Sequence, residues 1–222
     1  MGEAATPTIR RVERHAEIGS TNDTVRARLE AGEAEIAVAV ADLQTAGRGR
    51  EGRSWVAPAG RALLCSLGFR PTWLASPADA WRLAAVAALA MADAAEETAG
   101  LRDGTVRLKW PNDLVVEPPD GGAGLPRKLG GTLGDTVGLG SGDPLAIVGV
   151  GVNADWPALE FPRELATTMT SLREASGGRP VDREALLDAF LGRLELRVAA
   201  LAAGRFDGGG WAARQLTSGR LV

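Results

Sequence analysis

Gly47-Arg48-Gly49-Arg50-Glu51-Gly52-Arg53 follows an apolar, strand-like run and matches the pattern G-x-G-x-x-G, so its reading decides the fold. In a dinucleotide-binding βαβ unit, such a turn opens a helix whose N-terminus receives the pyrophosphate. Here Ser54-Trp55-Val56-Ala57-Pro58 follows, which is poor helix material, and the turn carries three arginines. The doubly wound reading is therefore rejected. The physical alternative is an anion-binding loop: glycines let backbone N–H groups approach phosphate or carboxylate oxygens, and arginines neutralise the charge gathered there. Without a ligand the guanidiniums repel one another, so the loop is expected to be mobile until an anion orders it. A plain solvated Arg-rich loop is the other reading.

Outward from this loop, strands are expected at Ile9–His15, Ala34–Ala41 and Ala62–Phe69, with Leu43–Pro58 as the long loop between the last two. Ser20 suits the N-cap of a helix to about Ala31, with Val25 and Leu29 on one face. Pro77 opens a long Ala-rich helix ending near Gly100. Four further strands are expected, at Val106–Trp110, Asp113–Glu117, Lys128–Thr136 and Leu145–Asn153. Between the second and third of these, Pro118–Pro126 reads as a mobile surface loop. Helices at Thr170–Ala175 and Asp182–Ala203 close the pattern, the second with Leu186, Leu187, Phe190 and Leu194 at helical spacing; Gly208–Gly210 should then break it. Hairpin-like strands beside a few helices imply an α+β fold with a mixed, mostly antiparallel sheet.

Composition sets outer limits. At 222 residues, 45% hydrophobic and 24% charged, the chain is ordinary globular material that buries roughly 70% of its unfolded surface. Cys65 is the one cysteine and His15 the one histidine, which rules out an internal disulfide and makes a structural zinc site implausible. Cys65 is expected to be an inert buried thiol and His15 structural. A net charge of −3 argues against general nucleic-acid binding. With a polar N-terminus and no apolar run long enough to span a bilayer, a cytoplasmic location is expected.

The rare residues are more telling. Of the 25 basic residues only two are lysines, Lys109 and Lys128, and the asparagines are Asn22, Asn112 and Asn153. A genome-wide bias that replaces Lys by Arg leaves Lys where a compact point charge is needed and a planar fork is not tolerated. All five sit in short runs: Ser20-Thr21-Asn22, Lys109-Trp110-Pro111-Asn112-Asp113, Arg127-Lys128-Leu129-Gly130-Gly131 and Gly149-Val150-Gly151-Val152-Asn153.

Together with Gln44 and the Gly/Arg loop running on to Trp55, these runs resemble the biotin protein ligases, in order and approximate spacing from about Val12 to Arg205. The resemblance implies a class II aminoacyl-tRNA synthetase-like catalytic domain over residues 1–206, with 207–222 as a tail holding at most the first strand of a small C-terminal barrel. It implies activation of biotin with ATP and Mg²⁺ to biotinyl-5′-AMP, then transfer to a lysine of a biotin carboxyl carrier domain. Lys128, Arg48 and Arg50 would be catalytic. Biotin would meet Ser20, Thr21, Asn22, Gln44, Gly47, Arg48, Gly49, Arg50, Lys128, Gly131 and Gly151. ATP would meet Arg48, Arg50, Arg53, Trp55, Asn112 and Asn153, with Asp113 a ligand for Mg²⁺ and no tightly bound structural metal.

Each role has a plainer reading. Ser20 could simply cap its helix, Trp55 and Trp110 could be core aromatics, and Lys109 could point to solvent or form an ion pair. Gly149 and Gly151 permit close approach of a ligand or a neighbouring strand. No helix-turn-helix is expected before Val12, so no DNA-binding role is expected either. The Gly130–Asp135 stretch is more polar and Gly-rich than the family pattern. Monomer and homodimer are both compatible. A lipoate or octanoyl ligase would carry an Arg-Arg-x-Ser-Gly-Gly-Gly type run, which is absent, and a non-catalytic biotin or biotinyl-adenylate binding protein is the remaining alternative.

Overall fold

The computed structural model describes residues 8–33, 36–74, 76–117 and 125–217. In chain order the elements are β1 (Val12–Ile18), α1 (Thr21–Glu30), β2 (Ala37–Gln44), β3 (Ala62–Phe69), α2 (Trp81–Ala99), β4 (Val106–Lys109) and β5 (Asp113–Val116), then β6 (Arg127–Val137), β7 (Leu145–Asn153), α3 (Leu172–Ala175), α4 (Arg183–Ala202) and α5 (Gly208–Arg214). The strands form one seven-stranded sheet in the order β1-β2-β3-β7-β6-β5-β4. Only β1 and β2 pair in parallel; every other neighbour is antiparallel. The expected mixed, mostly antiparallel sheet is what forms. Its one parallel pair needs a crossover, which α1 supplies.

Helices cover both faces. On one face α1 lays Val25 and Leu29 against Ala37, Ala39, Leu145 and Ile147. It can press this close because Gly68 lies beneath it: a Cβ there would stand 2.4 Å from Val25 Cγ1. The other face carries the main core, where α2 and α4 pack together over the sheet with Leu83, Leu89, Met91, Leu186, Phe190 and Leu194 inside. With both faces covered, β3 is buried along its whole length, so it reads as a continuous apolar run rather than an alternating one.

Several boundaries differ from the sequence reading for local reasons. β1 and β2 each begin three residues later than expected, at Val12 and Ala37. Pro77 opens a short 3₁₀ turn, Pro77–Asp79, capped by the Ser76 hydroxyl accepting from the Ala78 N–H, and α2 starts only at Trp81. Gly100 ends α2 as expected, in the left-handed conformation at φ 61°. Of the surface loop expected at 118–126, residues 118–124 lie outside the described residues.

Two expectations are corrected. Gly208–Gly210 do not break helicity; they form the first turn of α5, where the Asp207 carboxylate accepts from the Gly210 N–H at 2.8 Å. Glycine is a poor helix former, but here the cap and packing override it: Trp211 lies 5.3 Å from the Trp81 ring. Arg214 donates to Glu96 and Asp93 of α2, and Leu216 N–H bonds to Leu108 of β4. The described part of the 207–222 tail is thus a helix followed by a short bridge to β4, fastened to the body of the domain. Trp110, in turn, is not a core aromatic. It sits in the β4–β5 turn beyond the sheet's end and is 59% exposed.

Candidate active site

Across the face that carries α1, the sheet leaves a cleft of about 350 Å³, floored by β3, β6 and β7 and walled by the start of α1, the Gly/Arg loop and the β4–β5 turn. It gathers residues from every run singled out in the sequence: Ser20, Thr21 and Asn22; Gln44; Arg48 through Trp55 except Gly52; Lys109 through Asp113; Lys128 and Gly131; Gly149 and Gly151. Two expected site residues stand apart. Gly47 shapes the loop without lining the cleft, and Asn153 is buried behind it, donating from Nδ2 to the Thr170 carbonyl at 2.9 Å. Asn153 therefore joins the end of β7 to the segment before α3, a structural bond rather than a place on the cleft wall.

One end of the cleft is a cluster of hydroxyls and side-chain amides. Gln44 Oε1 accepts from the Thr21 N–H at 2.8 Å and faces Thr21 Oγ1 at 2.9 Å. Thr21 Oγ1 lies 2.7 Å from Ser66 Oγ, which donates to Asn22 Oδ1. The two hydroxyls bring one proton each, yet three contacts join them to their neighbours, so one contact lacks a hydrogen. With the Asn22 and Gln44 amides beside the hydroxyls, a ligand bearing both N–H donors and a carbonyl acceptor suits this end. Ser20 occupies the N-cap position of α1, but its side chain makes no capping bond, so its hydroxyl serves the cleft wall and not the helix end.

Ser66 was missed in the sequence. Its signal is that it alone carries a polar side chain in the apolar run Ala62–Phe69, and a polar group at a fully buried strand position needs a partner. Its neighbour Cys65 is buried as expected, with the thiol pushed up to about 12 by burial. At pH 8 the folded protein should thus resist iodoacetamide, and urea unfolding should expose a normally reactive thiol; alkylation at equal rates in both states would contradict the burial. Because the folded-state value is the higher one, the unfolded chain deprotonates first. Stability should fall as pH rises from about 9 toward 12.

The two glycines of β7 make room for other site residues. A Cβ on Gly149 would meet Asn22 Oδ1 at 2.5 Å, and one on Gly151 would meet the Trp55 indole at 2.8 Å. Their close neighbours are thus side chains of the cleft itself. Trp55 Nε1 is buried with no hydrogen-bond partner, an unmet donor beside the pocket.

The other end of the cleft is cationic. Lys128 leads β6, with its backbone bonded on both sides to Thr168 and Thr170. Its Nζ lies 2.7 Å from Asp113 Oδ1 and 5.7 Å from the centre of the Trp55 ring. Asp113 is thereby paired with the Lys128 ammonium through Oδ1. Among the described residues no group of three or more His, Cys, Asp or Glu side chains comes together. Asn112 donates from Nδ2 to the Thr132 carbonyl at 2.9 Å and so braces the β4–β5 turn on β6.

The Gly/Arg loop folds back on itself. Gly49 N–H bonds to Arg53 O at 2.6 Å and Trp55 N–H to Gly47 O at 2.9 Å. A Cβ at Gly47 would stand 2.4 Å from Trp55 O, so only glycine allows this approach. The expected mutual repulsion of the arginines is offset by carboxylates. Arg48 makes a bidentate pair with Asp23 at 2.6 and 3.0 Å, Arg53 meets Glu51 at 3.0 Å, and Arg50 lies 4.0 Å from Glu51. Hydrogen bonding to Arg48 holds the Asp23 carboxyl below its ordinary value, and Asp23 raises the Arg48 guanidinium in return. Arg53 and Lys109 stand at the exposed rim.

Fold and site together define a small-molecule-binding domain in which a polar pocket is joined to an arginine–glycine loop and a lysine placed for an anionic group. Comparison with known proteins gives this class a family. Residues 16–153 match the model of the biotin/lipoate A/B protein ligase family, and the chain belongs to that family. It is 34% identical over 185 residues to the biotin–[acetyl-CoA-carboxylase] ligase of Mycobacterium tuberculosis, covering 82% of this chain and 62% of that protein. With the bifunctional ligase/repressor BirA of Bacillus subtilis it shares 31% identity, covering 80% of this chain and 50% of that one. The chain thus spans between half and two thirds of the length of these relatives. Among solved structures, the biotin protein ligase of Aquifex aeolicus in complex with biotin and ATP superposes with a TM-score of 0.73 at 27% identity, covering 94% of this chain and 79% of that one. Among the described residues, no helix is long and apolar enough to cross a membrane.

Proposed function

We propose that this chain is the catalytic domain of a biotin protein ligase. The observation that carries the reading is the two-ended cleft, hydroxyls and side-chain amides at one end and Lys128 with the arginine loop at the other. Biotin matches it end for end, since its ureido ring brings N–H donors and its valerate ends in a carboxylate. Relatives named as biotin–[acetyl-CoA-carboxylase] ligases, and a structural neighbour that holds biotin and ATP, support the same choice.

In the first step a biotin carboxylate oxygen attacks the α-phosphorus of Mg-ATP. The bond from that phosphorus to the bridging oxygen breaks, and Mg-pyrophosphate leaves biotinyl-5′-AMP behind. Anion approaches anion, so the protein's work is alignment and charge stabilisation. Lys128 holds the carboxylate and the α-phosphate together, and Asp113 keeps its ammonium oriented. Arg50, with only a 4.0 Å contact to Glu51, is free to turn to the phosphates. Trp55 offers an aromatic face and an unmet N–H. In the second step a lysine amine of a biotin carboxyl carrier domain attacks the acyl carbon, AMP leaves, and the amide nitrogen sheds its surplus proton.

The test is ATP–pyrophosphate exchange in the presence of Mg²⁺, with biotin, lipoate and octanoate run in parallel. Exchange with biotin alone is the expected result. Lipoate and octanoate bring no N–H donors to the hydroxyl and amide cluster, so exchange with either at the biotin rate would contradict the assignment.

A further inference from the structure

The Gly/Arg loop walls one side of the cleft, yet its polar attachment to the rest of the protein is narrow. Among the described residues, Arg50 and Arg53 find their carboxylate within the loop, at Glu51. Gly49 bonds to Arg53, and Arg48 bridges to Ser54, both also internal. Among the described residues, the hydrogen bonds leading from 48–53 to the body of the domain are the two from the Arg48 guanidinium to the Asp23 carboxylate. Asp23 is held in turn on the first turn of α1, directly after the Ser20-Thr21-Asn22 run that walls the hydroxyl and amide end.

We propose that Asp23 is a positioning residue: it latches the Gly/Arg loop to the start of α1 through Arg48 and so sets how long biotin and its adenylate are retained. The arginines of the loop then divide their work. Arg48 serves as the clasp through its side chain, and both it and Gly49 line the cleft. Arg50 remains the loop cation available to phosphate. Fork-to-fork pairing is directional, so the latch fixes the loop's orientation as well as its distance. The Arg48 and Asp23 side chains are 46% and 58% exposed, which keeps the contribution modest. An exposed pair of this geometry should change loop closure by about three- to fivefold.

The proposal rests on the ligase reading only for the identity of the retained ligand, and its test separates the two. Ligand-free protein is treated with trypsin at low ionic strength, and cleavage after Arg50 and Arg53 is followed. Asp23→Asn should be cut about three- to fivefold faster than the parent, and the excess should fade at about 1 M salt as the pair is screened. Asp23→Glu should restore most of the protection. Arg48→Gln should loosen the loop equally, and the Asp23→Asn/Arg48→Gln double variant should be no looser than Arg48→Gln alone.

With biotin, the dissociation constant of Asp23→Asn should rise by the same factor. Its single-turnover adenylation rate at saturating biotin and ATP should not change. Cleavage of Asp23→Asn at the parent rate, or additive effects in the double variant, would overturn the latch. So would a slower saturated step with an unaltered biotin constant. A parent protein that biotin fails to protect would instead count against the ligase reading, and the ligand-free comparison would still decide the latch.

Discussion

Lys128→Ala should slow biotin-dependent ATP–pyrophosphate exchange by about two to three orders of magnitude, the cost of removing one preorganised charge from a developing anionic centre. Biotin binding should weaken far less, because the polar cluster of Thr21, Asn22, Gln44 and Ser66 is left intact. The substitution does more than delete a cation. It also leaves Asp113 without its ammonium partner, an uncompensated negative charge where the proposed chemistry brings two anions together. Lys128→Arg should recover only part of the rate, since a planar fork does not fit the point-charge position between Asp113 and the Trp55 face. Exchange kinetics and equilibrium biotin binding measured on the same preparation separate the two effects. Turnover at the parent level in Lys128→Ala would remove Lys128 from the mechanism.

Phe190→Ala should do the opposite, lowering stability by about 3–5 kcal/mol while leaving the chemistry of the remaining folded molecules unchanged. Phe190 is completely buried and belongs to the same core as Leu83, Met91 and Leu194, where α2 and α4 pack over the sheet. Truncating its ring leaves a void that packed helices and a seven-stranded sheet close only in part. For a domain of this size the thermal midpoint should drop by about 10 °C. The loss is far from the cleft, which lies on the sheet's other face, so the biotin dissociation constant at low temperature should hold. A calorimetric midpoint within a degree or two of the parent would show that the site collapses around the smaller side chain.

These two residues were legible in the sequence for different reasons. Phe190 shares a helical face with Leu186, Leu187 and Leu194, and periodicity alone marks such a stripe for burial. Lys128 stood out by rarity, as one of two lysines against many arginines, and the structure places it in the cleft with every other run noted for its rare residues. Asn153 shared that rarity but is used inside, as a bond from β7 to Thr170. Rarity reports that a position resists replacement and does not say whether ligand or structure imposes the demand. Trp110 misled in the opposite direction: a large aromatic suggests a core, yet a turn at the end of two short strands has no core to enter.

The sequence by itself determined the element order as far as α4, the α+β class and most of the motif residues. Those follow from hydrophobic period, from glycine and proline placement and from residue chemistry, all of which act over a few neighbours in the chain. What only the tertiary structure decided is which of these residues touch. Asp23 and Arg48 are paired, the polar cluster is completed by Ser66 from the middle of an apolar strand, Asp113 is paired with Lys128, and three glycines are helical because Asp207 caps them and Trp211 packs on Trp81. These contacts join segments far apart in the chain. Their geometry is fixed by how the helices and the loop lie on the twisted sheet, a collective outcome of packing that no local pattern encodes.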